Sequence, residues 1–288
     1  MDETECIREY YTQEGMTERV VEAFRSVIYD YYARHSRSFP WRETTDPYHI
    51  MVSEVMLQQT QTSRAIQKYR LFLNRFPTVH ALASASLHDV LEAWQGLGYN
   101  RRAKHLQQAA SAIIDRFDGT VPFDEGSLLS LPGIGSYTAA AIRAFAFNRP
   151  SVVIDTNVRT VFIHFFFTYK KEVDDADIRP LVEATIDRNN PRRWYSALMD
   201  YGVMLKQRYE NPGRASTSYK RQSQFEGSDR QIRGEIIRLL LQTPGMTRRD
   251  IVAAIDTEES RIRAVIDRLC QEDLVTEREK QLFIPQNR

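Results

Sequence analysis

The chain has 288 residues, 39 Lys and Arg against 38 Asp and Glu, a formal net charge of +1 and 42% hydrophobic residues. That length holds one large domain and a small one around a buried core, and the composition is ordinary for a soluble globular protein. So even a charge balance is weak evidence for a nucleic-acid partner, and local clustering has to carry that argument. No apolar run approaches the roughly 18–20 residues that span a bilayer, so no membrane association is expected. The nearest, Val161-Phe-Ile-His-Phe-Phe-Phe, is too short. The acidic start Met1-Asp-Glu-Thr-Glu does not read as a signal peptide. Cys6 and Cys270 lie at opposite ends and suggest a reducing cytosol, nucleoid-associated in a prokaryote, rather than a disulfide framework.

In chain order, residues 1–16 are polar and read as a loose tail. An amphipathic helix follows, capped by Thr17 and running to about Tyr32. A loop from Arg37 to Tyr48 holds Pro40, Trp41 and Arg42. His49 to Gln59 is the next helix, with Ile50, Val55, Met56 and Leu57 as core, followed by another to about Phe76. One helix is expected over 81–94, and Gly96-Leu97-Gly98 opens another from Tyr99 to Phe117. Asp124 to Ser130 reads as a short helix. Helices continue over 158–169, 174–188 and 193–206, and no alternating β-pattern appears before residue 220. The stretch 209–227 is irregular, and 206–221 is basic, with Lys206, Arg208, Arg214, Lys220 and Arg221 against Glu210. From Ser228 on, three helices (229–241, one opened by the Thr247/Asp250 capping box, and 261–273 opened by Thr257 and Ser260) precede a hairpin over 274–285. Three helices and a hairpin make a winged-helix-like unit, whose third helix suits a DNA groove or a packing contact equally.

The chain is organised around Leu131-Pro132-Gly133-Ile134-Gly135-Ser136-Tyr137-Thr138. Pro132 stops one helix, two glycines allow a sharp turn, and an apolar helix begins at Thr138. Such a helix-hairpin-helix aims the N–H groups of the turn and of the second helix outward, an anion site suited to a DNA phosphate. A plain corner between helices reads the same way locally. Its sequel sets this one apart: Pro150-Ser-Val-Val-Ile is extended, and Asp155 stands where the next helix begins.

Leu131-Pro-Gly-Ile-Gly-x-Tyr-Thr138 followed by Asp155 resembles the helix-hairpin-helix DNA glycosylase superfamily that includes endonuclease III. Pro40-Trp41-Arg42, Pro47-Tyr48 and Ser53-Glu54-Val-Met-Leu-Gln58-Gln59-Thr-Gln-Thr62 narrow the likeness to its adenine DNA glycosylase (MutY) branch. Phe76-Pro-Thr-Val79 and Trp94-x-Gly-Leu-Gly-Tyr99 extend it, from about Phe39 to Leu205. The resemblance implies a mainly α, two-lobed helix-hairpin-helix DNA glycosylase fold over 1–225. Its lobes would be about 40–150 and 17–39 plus 151–208, with a basic loop at 206–224; the winged-helix-like α+β unit read from the residues themselves forms a separate domain at 226–288.

Breaking an N-glycosidic bond to a purine needs a proton on the leaving base and stabilisation of an oxocarbenium-like sugar. Glu54 lies among apolar residues, where burial favours a carboxyl that can donate; by resemblance it protonates the purine and helps activate water. Asp155, a good N-cap in its own right, would stand beside the developing positive sugar, and Asn157 would orient it or hold a phosphate. Tyr137 takes the place where strand-cleaving relatives carry a nucleophilic lysine, and a phenol forms no Schiff base. The target nucleotide must leave the stack. The resemblance makes Tyr99 the wedge, has Gln58 and Gln59 probe the vacated space, sets Trp41, Arg42 and Asp200 at the flipped base, and sets Leu131, Gly133 and Gly135 at the DNA backbone.

There are departures. The family's Asp-Gly-Asn is Asp155-Thr156-Asn157 here, and a second tyrosine after Tyr99 is Asn100. The four cysteines that hold a [4Fe–4S] cluster after Asp-x-Gly-x-Met are missing, and a winged-helix-like unit stands in place of the usual C-terminal domain. No cofactor is therefore expected, no metal site is apparent, and the resemblance admits a monovalent cation at the hairpin. The reading is a monofunctional DNA glycosylase of base excision repair, without β-lyase activity. It would remove adenine mispaired with guanine or 8-oxoguanine from double-stranded DNA, as a monomer. A mismatch glycosylase for thymine, uracil or another deaminated base is the alternative, and a non-catalytic DNA-binding protein is a further one.

Overall fold

The structure, a computed structural model, describes residues 3–219 and 224–285. Lys220 and Arg221 of the expected basic stretch lie outside the described residues. Among the described residues the helices are, in order, α1 (Glu3–Glu14), α2 (Glu18–His35), α3 (Pro47–Leu57), α4 (Thr62–Arg75), α5 (Val79–Ser84), α6 (Leu87–Trp94), α7 (Arg101–Phe117) and α8 (Glu125–Leu129). There follow α9 (Ser136–Phe145), α10 (Thr156–Phe166), α11 (Asp175–Thr185), α12 (Pro191–Arg208) and α13 (Asp229–Gln242). The chain closes with β1 (Met246–Thr247), α14 (Arg248–Ala254), α15 (Glu259–Gln271), β2 (Thr276–Arg278) and β3 (Gln281–Phe283).

The chain divides into two compact units. One contains residues 3–50, 123–125 and 135–219; the other contains 51–122, 126–134 and 224–285. These boundaries differ from the expected lobes at both ends. Residues 40–50 and α9 go with α10 and α12, because Arg42 is ion-paired to Asp200 of α12 and Arg192 of α12 donates to the Phe145 and Ala146 carbonyls that end α9.

The first unit is centred on Phe24 of α2. Its ring meets Phe162, Phe165 and Phe166 of α10 and Trp194 of α12 edge-on, with centroids 5.4, 5.0, 5.2 and 5.7 Å away. Residues 3–14 of the expected loose tail form a docked helix: α1 buries Ile7, sets Tyr11 against Phe166, and Arg8 donates to the His164 carbonyl. A buried apolar side chain, an aromatic contact and a hydrogen bond together outweigh the polar composition that made it read as unstructured. Thr17 stands at the N-cap of α2 but gives its hydroxyl to Glu14 rather than capping.

In the second unit, the single helix expected over 81–94 is two. Ala85 is extended, and the Ser86 hydroxyl accepts from the Asp89 N–H to start α6 afresh. A local cap outweighs continuous apolar spacing here. Residues 224–285 build three helices and an antiparallel sheet of order β1-β3-β2. The Thr247/Asp250 capping box opens α14 as expected. The third helix starts at Glu259 behind Glu258, without a side-chain cap from Thr257.

Candidate active site

The hairpin turn joins α8 to α9. Leu131 and Ile134, both buried, root it, and the Ile134 N–H returns to the Leu131 carbonyl at 3.2 Å. Leu131 is only 2% exposed, and its side chain packs the turn. The two glycines are not equivalent. Gly133 has φ +76°, and a Cβ there would sit 2.6 Å from the Cβ of His105, so both backbone and space demand glycine. Gly135 has the ordinary φ of −90°, lies in open space, and occupies the N-cap of α9 with no side chain over the first-turn N–H groups. Tyr137 sits half-buried in that first turn.

The extended strand-like run 150–154 delivers Asp155 to the N-cap of α10. Its Oδ1 accepts from the N–H groups of Asn157 (2.8 Å) and Val158 (2.7 Å), and its Oδ2 from the Asn157 amide (2.7 Å). Thr156 heads the helix with its side chain exposed, so the change from the family's glycine is accommodated. Asn157 in turn accepts from the Lys206 ammonium at 2.8 Å. Burial lowers the pKa of that ammonium, while the nearby Asp155 charge works to raise it. Gly202 lets α12 pass this corner, since a Cβ there would fall 2.5 Å from the Asn157 carbonyl oxygen. Below, Arg159 holds Asp175 through two bonds of 2.6 Å, and this pairing raises its pKa.

Glu54 lies on α3, 6% exposed, between Met51, Val52, Val55 and Met56, none more than 3% exposed. The end of that helix is held by a residue that the motifs did not mark. Arg102 of α7 reaches six oxygens. Nη1 donates to the carbonyls of Val55 (2.8 Å), Met56 (3.0 Å) and Gln58 (2.5 Å), and Nη2 to Thr60 Oγ1 (3.1 Å) and the carbonyls of Leu97 (3.2 Å) and Gly98 (3.1 Å). Its plane also lies over the rings of Trp94 and Tyr99. Burial pulls the guanidinium down to about 10, still protonated at neutral pH. Arg102 thus ties the loop bearing Gln58 and Gln59 to the loop bearing Tyr99. Gln59 (φ +54°) and Tyr99 (φ +49°) are both left-handed, a conformation non-glycine residues adopt at a cost of roughly 1–2 kcal/mol. Beside them a cavity of about 40 Å³, lined by Val55, Gln58, His105 and Gly133, has room for a water and none for a purine.

Trp41, Arg42 and Asp200 do come together, but on one another. Both Asp200 oxygens are taken by Arg42 (2.9 Å each) and by the backbone N–H (2.9 Å) and guanidinium (2.7 Å) of Arg37. Arg42 further donates to the carbonyls of Arg37 and Ser196, and Trp41, 8% exposed, stacks on Phe39 at 5.3 Å. Asp200 is 2% exposed, so it acts by fixing the two arginines. Arg37 was legible only as a loop cation.

A [4Fe–4S] cluster needs about four thiolates. The chain has two cysteines, Cys6 on α1 and Cys270 on α15, and Asp200-Tyr-Gly-Val-Met is followed by Leu205-Lys206. The residues present do not fit such a cluster. The segment after α12 is instead docked by its own bonds: Val173 N–H to the Ala215 carbonyl (2.8 Å), Thr217 N–H to the Val173 carbonyl (2.9 Å), and Asn211 capping the turn at Gly213.

A glycine-turned hairpin between helices, followed by an aspartate-capped α10, defines a helix-hairpin-helix protein. Residues 52–181 match the model of the HhH-GPD superfamily of base excision DNA repair proteins. An adenine DNA glycosylase of Mycolicibacterium smegmatis is 35% identical over 233 residues, 74% of this chain and 78% of the relative. One of Mycobacterium tuberculosis is 33% identical over 270 residues, 85% and 88% of the two chains. Among solved structures, a thermostable thymine-DNA glycosylase shares the fold with a TM-score of 0.59 at 24% identity, over 67% of this chain and 90% of its own. The chain belongs to the HhH-GPD superfamily and, within it, to the adenine DNA glycosylase family.

Proposed function

We propose that this chain is a monofunctional adenine DNA glycosylase of base excision repair. It acts on adenine opposite guanine or 8-oxoguanine, as a monomer, without a cluster or other cofactor. The reading rests above all on the occurrence in one chain of a deeply buried Glu54 on α3 and an Asp155 carboxylate fixed by three hydrogen bonds. Glu54 gives its proton to a ring nitrogen of the purine, so the base departs neutral as the N-glycosidic bond breaks. Asp155, held by Asn157 and through it by Lys206, offsets the positive charge that develops on the sugar. Water then adds at the anomeric carbon and its proton returns to Glu54. Tyr137 carries no amine, so no imine forms and the strand stays intact.

Recognition requires the adenine to be out of the stack. Tyr99 acts as the wedge, and Gln58 and Gln59 fill or test the vacated space. Trp41 and Arg42, braced by Asp200, face the extruded base, and the N–H groups around Gly133 and Gly135 take a phosphate. The winged-helix-like C-terminal segment adds phosphate contacts.

Duplexes with single mispairs are scored for abasic sites under single-turnover conditions. Glu54→Gln should bind mispaired duplex normally and cut excision about 10²–10⁴-fold. Product strands should stay intact until alkali is added, and borohydride should trap little covalent complex. Excision by the Gln variant near the wild-type rate would sink the role of Glu54, and efficient trapping would mean that a lysine acts as nucleophile.

A further inference from the structure

The C-terminal segment is attached where the wedge is built. Arg230, in the first turn of α13, donates from Nη1 to the Tyr99 hydroxyl at 3.1 Å, with its guanidinium 5.7 Å from the ring centroid. Its helix is not free to drift. Asp229 is gripped by Arg261 and Arg268 of α15, and Arg233 pairs with Glu272. Five residues beyond Tyr99, the Lys104 ammonium donates to the Glu272 carbonyl (2.7 Å) and to Asp273 (3.2 Å). The same helical body thus contacts the wedge residue at its hydroxyl and the helix that follows it at its first turn.

Tyr99 needs such support. Its backbone is left-handed, and Arg102 lies over its ring. We propose that Arg230 is a positioning residue for the wedge, through which the C-terminal segment presets the Tyr99 side chain for base extrusion. This deepens the functional reading above and rests on its assignment of Tyr99. A guanidinium is fitted to the task, since one edge donates to the phenol while the plane stays in reach of the ring. The contact fixes a rotamer before DNA arrives, so its loss slows extrusion more than it weakens binding.

The test uses the full chain and a duplex with 2-aminopurine next to a mispaired adenine. The fluorescence rise on mixing reports extrusion, and abasic-site formation reports chemistry. Arg230→Ala should slow the rise and single-turnover excision about tenfold, with affinity changed less than threefold. Tyr99→Phe, which removes the hydroxyl, should do the same. The double variant should be no slower than either single one. Arg238→Ala, which removes an equal charge from the same helix, should leave the rise unchanged. Additive slowing in the double variant would show that Arg230 acts elsewhere, and a slowing matched by Arg238→Ala would reduce it to phosphate attraction. A wild-type protein that extrudes but removes another base defeats the adenine reading and leaves this one standing. A wild-type protein that gives no rise on any mispair defeats both.

Discussion

Replacing Arg102 with methionine removes the guanidinium and keeps most of the stem volume. Its N–H groups are spread over six oxygens, five of them backbone carbonyls. Two of those, Val55 and Met56, belong to the last turn of α3, where carbonyls have no partner within the helix. Val55, Met56 and Leu97 are buried residues, whereas Gln58 and Gly98 reach solvent and can turn to water. Counting about 1 kcal/mol for each carbonyl stranded at the three buried residues gives a loss of roughly 3 kcal/mol. Against a total stability of about 5–15 kcal/mol the variant still folds. Its melting temperature should fall by roughly 6–12 °C, at 2–4 °C per kcal/mol for a chain of this size. Excision should fall further than stability predicts, because Gln59 and Tyr99 lose the brace that holds their left-handed backbone. Arg102→Lys should rescue little, since an ammonium cannot span both loops. A methionine variant that melts within about 2 °C of wild type and excises within about twofold would refute the view that this side chain holds the site together.

The two hairpin glycines should part company: Gly133→Ala loses roughly 2 kcal/mol or more to its φ and its clash with His105, while Gly135→Ala melts normally and loses DNA affinity. Equal melting of the two would contradict the turn geometry. His105, under Gly133, has its pKa held below the usual value by burial first and then by Arg101 and Lys104. Its unfolded form therefore takes up protons first, so stability is full above the ordinary histidine value of about 6.5 and is lost as pH falls from there through the folded pKa. Urea midpoints at pH 7.5 and 5.5 should differ less in His105→Gln than in wild type, and an unchanged difference would rule the imidazole out as its source.

Much of this was legible in the sequence. The hairpin, the Asp155 cap and the buried helix around Glu54 announce themselves because turn, cap and apolar run are local events. Three things were not. α1 docks through Ile7, Tyr11 and Arg8 onto α10, about 160 residues away, and no local pattern encodes such a contact. Arg102 reads as one more surface cation of an amphipathic helix, and only the folded loops bring six oxygens to it. Asp200 reads as a carboxylate near the adenine pocket, and nothing local shows that its oxygens are taken by Arg37 and Arg42. In each case the missing information is which distant acceptor lies within reach.

The bond from Lys206 to Asn157 bears on the chemical durability of the corner around Asp155. A thiolate-held iron cluster can be oxidised and can lose its iron. An ammonium resting on an amide oxygen has no electron to lose and no ion to surrender. The corner that steadies Asp155 is therefore built of groups that neither oxidise readily nor dissociate.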